Sequence, residues 1–361
     1  MKQQELTTET VLSRLPEPLL RWFRENARDL PWRRTDDPYR IWVSEIMLQQ
    51  TRVAVVLDYY AAFLAAFPSV EALANAPEDR LMKLWEGLGY YSRARNLQKA
   101  AKAVAEMGGF PDTYEGLLKL PGVGDYTASA IASAAFGRRE AAVDGNVLRV
   151  VTRLTDCHDD ISDPRTKKVV REQVRSVMPE RPADIRVFNQ ATMELGATVC
   201  VPNGAPKCEV CPAKDFCLGR IRGTAESLPV KRAKKARRTE EKTVFVLLRE
   251  DRVALRRRSE SGLLAGLWEF PNAEGTLSEE TAPGQVAAWG LEPKQWKNKL
   301  TARHIFTHVE WHMTGYTLEV AGGGCEEWEW VDAAGLASHA VPSAFARYYA
   351  EAEKRLKGER L

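Results

Sequence analysis

Between residues 10 and 220, apolar positions recur three and four apart, the period of helices with one buried face. Val55, Tyr59, Ala62, Phe63 and Phe67 form one such stripe, and the run from Leu117 to Phe136 carries another. Pro31, Pro38, Pro68, Gly108-Gly109 and Pro121-Gly122 break these runs where helices must stop or turn. No strand-like alternation of any length interrupts them. After Leu228-Pro229 the period changes. Thr243-Val244-Phe245-Val246-Leu247-Leu248 and Val253-Ala254-Leu255 predict a strand pair, followed by short aromatic-rich segments at Trp268-Glu269-Phe270, Tyr316–Val320 and Trp328–Val331. A helix near Ser343–Leu356 closes this part. The pattern predicts a mainly α domain over residues 1–225 and a mixed α/β domain over 242–361. Between them, 226–241 is a linker whose run Lys231–Arg238 is a solvated basic stretch that can also reach phosphate. No internal repeat is visible.

Composition changes this picture little. A chain of 361 residues exceeds what one core usually needs, in keeping with two domains. No stretch approaches the roughly 18 apolar residues of a membrane span. The opening Met1–Leu6 lacks the apolar core of a secretory signal. A soluble cytoplasmic protein without a membrane partner is therefore expected. The net charge of +3 is too small to point to a polyanionic partner, which would show as local basic patches.

The cysteines say more. Four of the six fall in Cys200-x7-Cys208-x2-Cys211-x5-Cys217, while Cys157 and Cys325 stand alone. In a reducing compartment such clustering indicates a metal centre rather than disulfides. Four thiolates suit either tetrahedral zinc or a [4Fe–4S] cluster. Only one CxxC is present and no His lies close by, which departs from the usual paired zinc knuckles.

Leu120-Pro121-Gly122-Val123-Gly124-Asp125-Tyr126-Thr127 sits between two helical runs. Gly122 and Gly124 permit a tight turn that points backbone N–H groups outward at a helix N-terminus, a natural seat for a phosphate. A lone GxG would more often be a simple interhelical turn. Two carboxylates also stand out. Glu45 has Ile41, Trp42, Leu48 and Gln49 as helical neighbours, so it lies on a largely apolar face or leans from its edge into solvent. Burial there would raise its pKa and keep it available as a general acid. Asp144 precedes a helix beginning near Asn146-Val147, where it serves as an N-cap and remains ionised.

Together these segments carry a resemblance. Leu120–Gly124, the following Thr127–Gly137, Val143-Asp144-Gly145-Asn146-Val147 and the four cysteines resemble the endonuclease III superfamily over roughly residues 10 to 220. Ile41–Thr51 closely resembles the adenine DNA glycosylases, the MutY family, and Gly262–Pro271 resembles their Nudix-like C-terminal domain. The resemblance implies a two-lobed helix-hairpin-helix glycosylase domain with a [4Fe–4S] loop on Cys200, Cys208, Cys211 and Cys217, followed by an α/β domain. It implies a monomeric base-excision-repair enzyme that flips adenine out of double-stranded DNA when it is mispaired with 8-oxoguanine or G. One departure is the cysteine spacing: the family usually has six residues between the first two, and this chain has seven, with Asn203-Gly204 placed to turn.

The same resemblance assigns roles. Glu45 protonates adenine and later activates water, Asp144 stabilises or attacks the oxocarbenium-like sugar in a retaining reaction, and Tyr126 and Asn146 support it. Bifunctional relatives carry a lysine where Tyr126 stands, so this chain is expected to lack Schiff-base lyase chemistry. Arg28, Leu30, Trp32, Arg33 and Gln190 match the adenine pocket, although Trp32 is equally at home in a core. Gln50 and Tyr90 match the residues that wedge into the duplex. Phe306-Thr307-His308 matches the loop that inspects 8-oxoguanine, with Thr keeping the hydroxyl of the family's Ser. The acidic Nudix segment is missing where Gln285-Val286-Ala287-Ala288-Trp289 stands, so pyrophosphatase activity is not expected. Three rivals are weighed against this: a thymine mismatch glycosylase, a non-catalytic iron–sulfur damage binder, and a Nudix hydrolase with a helical appendage. Glu45 with the Phe306–His308 loop, the intact Glu45 and Asp144, and the missing acids argue against them in turn.

Overall fold

The structure is a computed structural model describing residues 7–232 and 236–358. Met1–Leu6 and residues 233–235 of the basic run lie outside the described residues. Contacts divide the chain into two compact units. One contains the residues up to Asn75 and from Asn96 to the basic run, and the other contains Ala76–Arg95 with the residues after it.

The first unit is helical: α1 (Thr8–Ser13), α2 (Pro16–Asn26), α3 (Pro38–Leu48), α4 (Val53–Ala66) and α5 (Val70–Ala74) precede Asn75. In the second unit lie α6 (Glu78–Trp85) and the first residues of α7 (Ser92–Glu106). The first unit resumes within α7 and continues with α8 (Tyr114–Leu118), α9 (Asp125–Phe136), α10 (Gly145–Thr155), α11 (Pro164–Val177), α12 (Pro182–Thr198) and α13 (Leu218–Ile221). Among its described residues there is no strand.

Local chemistry sets these boundaries. Asp37, Asp144 and Asp163 cap α3, α10 and α11 with side-chain oxygens, and Pro38 and Pro164 occupy first-turn positions where no amide partner is needed. Gly137 ends α9 in the left-handed region at φ 65°. Val11, Leu19, Val147, Val151, Phe188 and Leu195 meet in a core shared by α1, α2, α10 and α12. The stripe read on α4 holds at Phe63 and Phe67 but is shifted by one position at Val55 and Tyr59. Val56, Tyr60 and Phe63 face inward, with Phe67 buried just beyond the helix, whereas Val55 is 43% exposed. Because α4 is apolar nearly all round, its sequence defines a helix without defining which face is buried.

The second unit is built on one sheet with the order β3-β2-β1-β6-β5. The strands are β1 (Arg238–Arg249), β2 (Arg252–Arg257), β3 (Trp268–Glu269), β4 (Asn272–Glu274), β5 (Glu292–Ile305), β6 (Val309–Ala321) and β7 (Trp328–Val331). β4 pairs with β1 and β7 with β2. β1 runs parallel to β6, with Phe245 opposite Tyr316, and β5 pairs antiparallel to β6. Val244, Val246 and Leu248 point to one face with Trp311, Phe345 and Tyr348; Phe245 and Leu247 point to the other with Val286 and Tyr316. Both faces are covered, by α16 (Ala346–Leu356) and α14 (Ala282–Ala288) respectively, and a short α15 (Ala333–Ser338) follows β7. A doubly covered strand reads as a continuous apolar run, as Val244–Leu248 does. No helix among the described residues is long and apolar enough to cross a membrane.

Candidate active site

A cavity of about 690 Å³ opens in the helical unit. Its wall collects Arg28, Leu30, Trp32 and Arg33 from the segment before α3, Glu45 from α3, Gln50 from the loop after it, and Gly122, Gly124 and Tyr126 from the hairpin and α9. Asp144 and Asn146 come from the start of α10, and Gln190 from α12. These residues run from Arg28 to Gln190 in sequence and share one space.

At its centre the Tyr126 hydroxyl donates to Glu45 Oε2 at 2.7 Å, with Met193 Sδ 3.7 Å away. Burial pushes the Glu45 carboxyl up to about 7; the Tyr126 hydrogen bond and the Arg33 charge pull it down, while the Asp144 charge adds to the rise. Burial and the neighbouring Glu45 and Asp144 charges hold Tyr126 well above the ordinary phenol range, so it is a neutral donor. Asp144 is held differently. Its Oδ1 accepts from the amides of Asn146 and Val147 at 2.9 and 2.8 Å, and its Oδ2 from Asn146 Nδ2 at 2.7 Å. The cap of α10 and the carboxylate on the cavity wall are therefore the same group. Asn146 is in turn anchored by Arg149 Nη2, which donates to its Oδ1 at 2.8 Å. Two carboxyls on one cavity thus occupy opposite environments, one apolar and protonatable, one wrapped in donors.

Trp32 is 6% exposed and packs edge-on against Tyr60, so it is a core aromatic that also presents surface to the cavity. Arg28 and Arg33 both donate to Glu194, a residue the sequence reading passed over. Its position was recoverable in principle, because it follows Gln190 by one helical turn on α12.

The hairpin bends where expected. Gly122 has φ 73°, and a Cβ there would lie 2.6 Å from Asn96 Cβ, so glycine is required. Gly124 N-caps α9 in extended conformation and faces open space. That leaves the first turn of α9 approachable by an anion.

Cys200, Cys208, Cys211 and Cys217 surround a small hollow of about 30 Å³, whose rim also bears Arg153, Lys207, Lys214 and Arg220. Arg153 Nη1 approaches Cys200 Sγ at 3.4 Å. Burial, together with the charges of the neighbouring thiols, pushes Cys211 up to about 12. No three His, Cys, Asp or Glu side chains among the described residues converge closely enough to hold a single ion. A four-iron cubane sets its ligating sulfurs farther apart than one zinc ion does, so four sulfurs around a hollow with a cationic rim fit the polynuclear, anionic centre better. Between Cys200 and Cys208 the chain turns at Gly204, with φ 75°.

In the second unit, Phe306-Thr307-His308 forms the tip between β5 and β6. Phe306, half-buried, packs against Trp311 at 4.8 Å between ring centres. Thr307 and His308 are exposed. Tyr90, 45% exposed at φ 46°, shares a hydrogen bond of 2.7 Å between its hydroxyl and Thr307 Oγ1. Gln50 likewise sits in the left-handed region, at φ 59°. Such backbone conformations in non-glycine residues recur at functional positions. α14 carries no acidic residue.

Residues 43–179 match the HhH-GPD superfamily of base excision DNA repair proteins, and residues 243–351 match the NUDIX domain. The chain is 37% identical to the adenine DNA glycosylase of Homo sapiens, across 84% of this chain and 66% of that one. It is 33% identical to the adenine DNA glycosylase of Buchnera aphidicola subsp. Baizongia pistaciae, across 83% of each. The chain belongs to the adenine DNA glycosylases. Among solved structures, a thermostable thymine-DNA glycosylase is similar over 60% of this chain and 99% of its own, with TM-score 0.54 and 30% identity. As an adenine DNA glycosylase the enzyme has a helical base-excision-repair domain followed by a Nudix-like one. The cavity lies in the former.

Proposed function

We propose that this adenine DNA glycosylase hydrolyses the N-glycosidic bond of adenine mispaired with 8-oxoguanine or G in duplex DNA, without cutting the strand. The observation that carries the reading is the pairing of Glu45, protonatable near neutrality, with a donor-wrapped Asp144 on one cavity. Glu45 gives its proton to N7 of the flipped adenine, the C1′–N9 bond breaks with its electron pair leaving on the base, and the Asp144 carboxylate faces the cationic sugar carbon. Water then adds at C1′ and its proton returns to Glu45. Tyr126 occupies the position where an amine would be needed for a Schiff base. Arg28, Leu30, Trp32, Arg33 and Gln190 form the adenine pocket, and the hairpin amides after Gly122 take a phosphate.

Gln50 and Tyr90 act as wedges. The hydroxyl of Thr307, tied to Tyr90, lies at an exposed tip suited to reading the opposite base. Cys200, Cys208, Cys211 and Cys217 hold a [4Fe–4S] cluster, which when bound cross-links the loop after α12. Incubation with duplexes holding A opposite 8-oxoguanine, A opposite G, and T opposite G tests the reading. Adenine release with intact strands is expected, and thymine release without adenine release would refute it.

A further inference from the structure

Glu194 has no accessible side-chain surface. Its Oε1 accepts from the Arg28 amide at 3.1 Å and from Arg28 Nε at 2.7 Å; its Oε2 accepts from Arg28 Nη2 and Arg33 Nη2, both at 2.7 Å. Four donors fill the acceptor directions of a carboxylate, leaving none for a substrate. Burial opposes its ionisation, but the two guanidinium groups overcome this and hold it down at about 2. A buried charge whose acceptor directions are all filled by two arginines acts through those partners. Arg33, whose side chain is 14% exposed, places its charge where it favours the ionised form of Glu45. Left without its carboxylate partner, the Arg33 charge would act on Glu45 unopposed and hold its carboxyl lower.

We propose that Glu194 is a positioning residue that fixes Arg28 and Arg33 against the cavity wall and offsets their charge, so that Glu45 stays protonated for catalysis. This rests on the reading of Glu45 as the general acid. Among the described residues, the other groups acting on Glu45 are Tyr126 on α9 and Asp144 at the start of α10.

The test is single-turnover adenine excision against pH with the full chain, beside a thermal melt of each variant. In the unaltered enzyme the rate should fall as pH rises through about 7. Glu194→Gln keeps the shape and removes the charge, and should move that fall to lower pH by about one unit. Arg33→Gln should move it upward, and the double variant should return it toward its original place. A purely structural Glu194 would lower the rate equally at every pH, and that result overturns the proposal. If Glu194→Gln does not fold, Arg33→Gln still decides, because a fall left in place or moved downward overturns it. A fall that persists in Glu45→Gln overturns the general-acid reading and this proposal together, whereas an unmoved fall in Glu194→Gln overturns this proposal alone.

Discussion

Replacing Tyr126 by Phe removes one hydroxyl and nothing else from the wall of the cavity. That hydroxyl donates to Glu45 Oε2 at 2.7 Å, and it is the largest influence lowering the Glu45 carboxyl against the rise caused by burial. A hydrogen bond to a charged group contributes roughly 1.5–3 kcal/mol. At about 1.4 kcal/mol per pKa unit, its loss raises Glu45 by about 1–2 units. Since Glu45 works in its protonated form, activity is present below this pKa and is lost above it. The fall in single-turnover excision should therefore move from about 7 to about 8–9, measured on a duplex with A opposite 8-oxoguanine. The plateau below the fall separately reads any loss of support for the reacting sugar. A fall that stays near 7, or moves lower, would refute the assignment of the acid and of the bond that tunes it.

Three further outcomes follow from named contacts. Because burial raises Glu45 from 4.5 to about 7, its ionisation costs the folded enzyme stability as pH rises across that window. Glu45→Gln should abolish excision yet gain on the unaltered enzyme by on the order of 3 kcal/mol by pH 8 in chemical denaturation; a gap that is constant with pH would contradict this. Gly122→Ala puts a Cβ 2.6 Å from Asn96 Cβ at φ 73°, and should cost roughly 1–3 kcal/mol of stability and weaken duplex binding at low salt. Unchanged duplex affinity would remove the hairpin from the interface. Tyr90→Phe and Thr307→Val both break the 2.7 Å hydroxyl contact, so a double-mutant cycle on discrimination between 8-oxoguanine and G opposite adenine should show a coupling of about 1 kcal/mol; strictly additive effects would exclude a joint role.

Much of the architecture was legible because it is local. Aspartates ahead of Tyr39, Asn146 and Arg165 announce helix starts, Gly137 announces a stop, and the run Val244–Leu248 announces a strand covered on both faces. The face of α4 was not legible, since an all-round apolar helix satisfies two stripes equally and only packing selects one. In the site, Glu45, Asp144 and Tyr126 were recognisable as candidates by residue type and motif. Glu194 shares a helix face with Gln190, but its role was not legible, because the cations it binds lie 161 and 166 positions away.

The sequence by itself determined what this protein has to work with: helical and strand periods, four thiols in one loop, a hairpin that needs Gly122, and a tyrosine where an amine would otherwise be. Tertiary structure alone decided how those groups behave. The Tyr126–Glu45 bond joins residues 81 apart, and Tyr90 meets Thr307 across 217. The difference is physical. Backbone preferences and side-chain chemistry are properties of a residue and its near neighbours, whereas a pKa or a polar contact depends on desolvation and charges supplied by whatever the fold brings alongside.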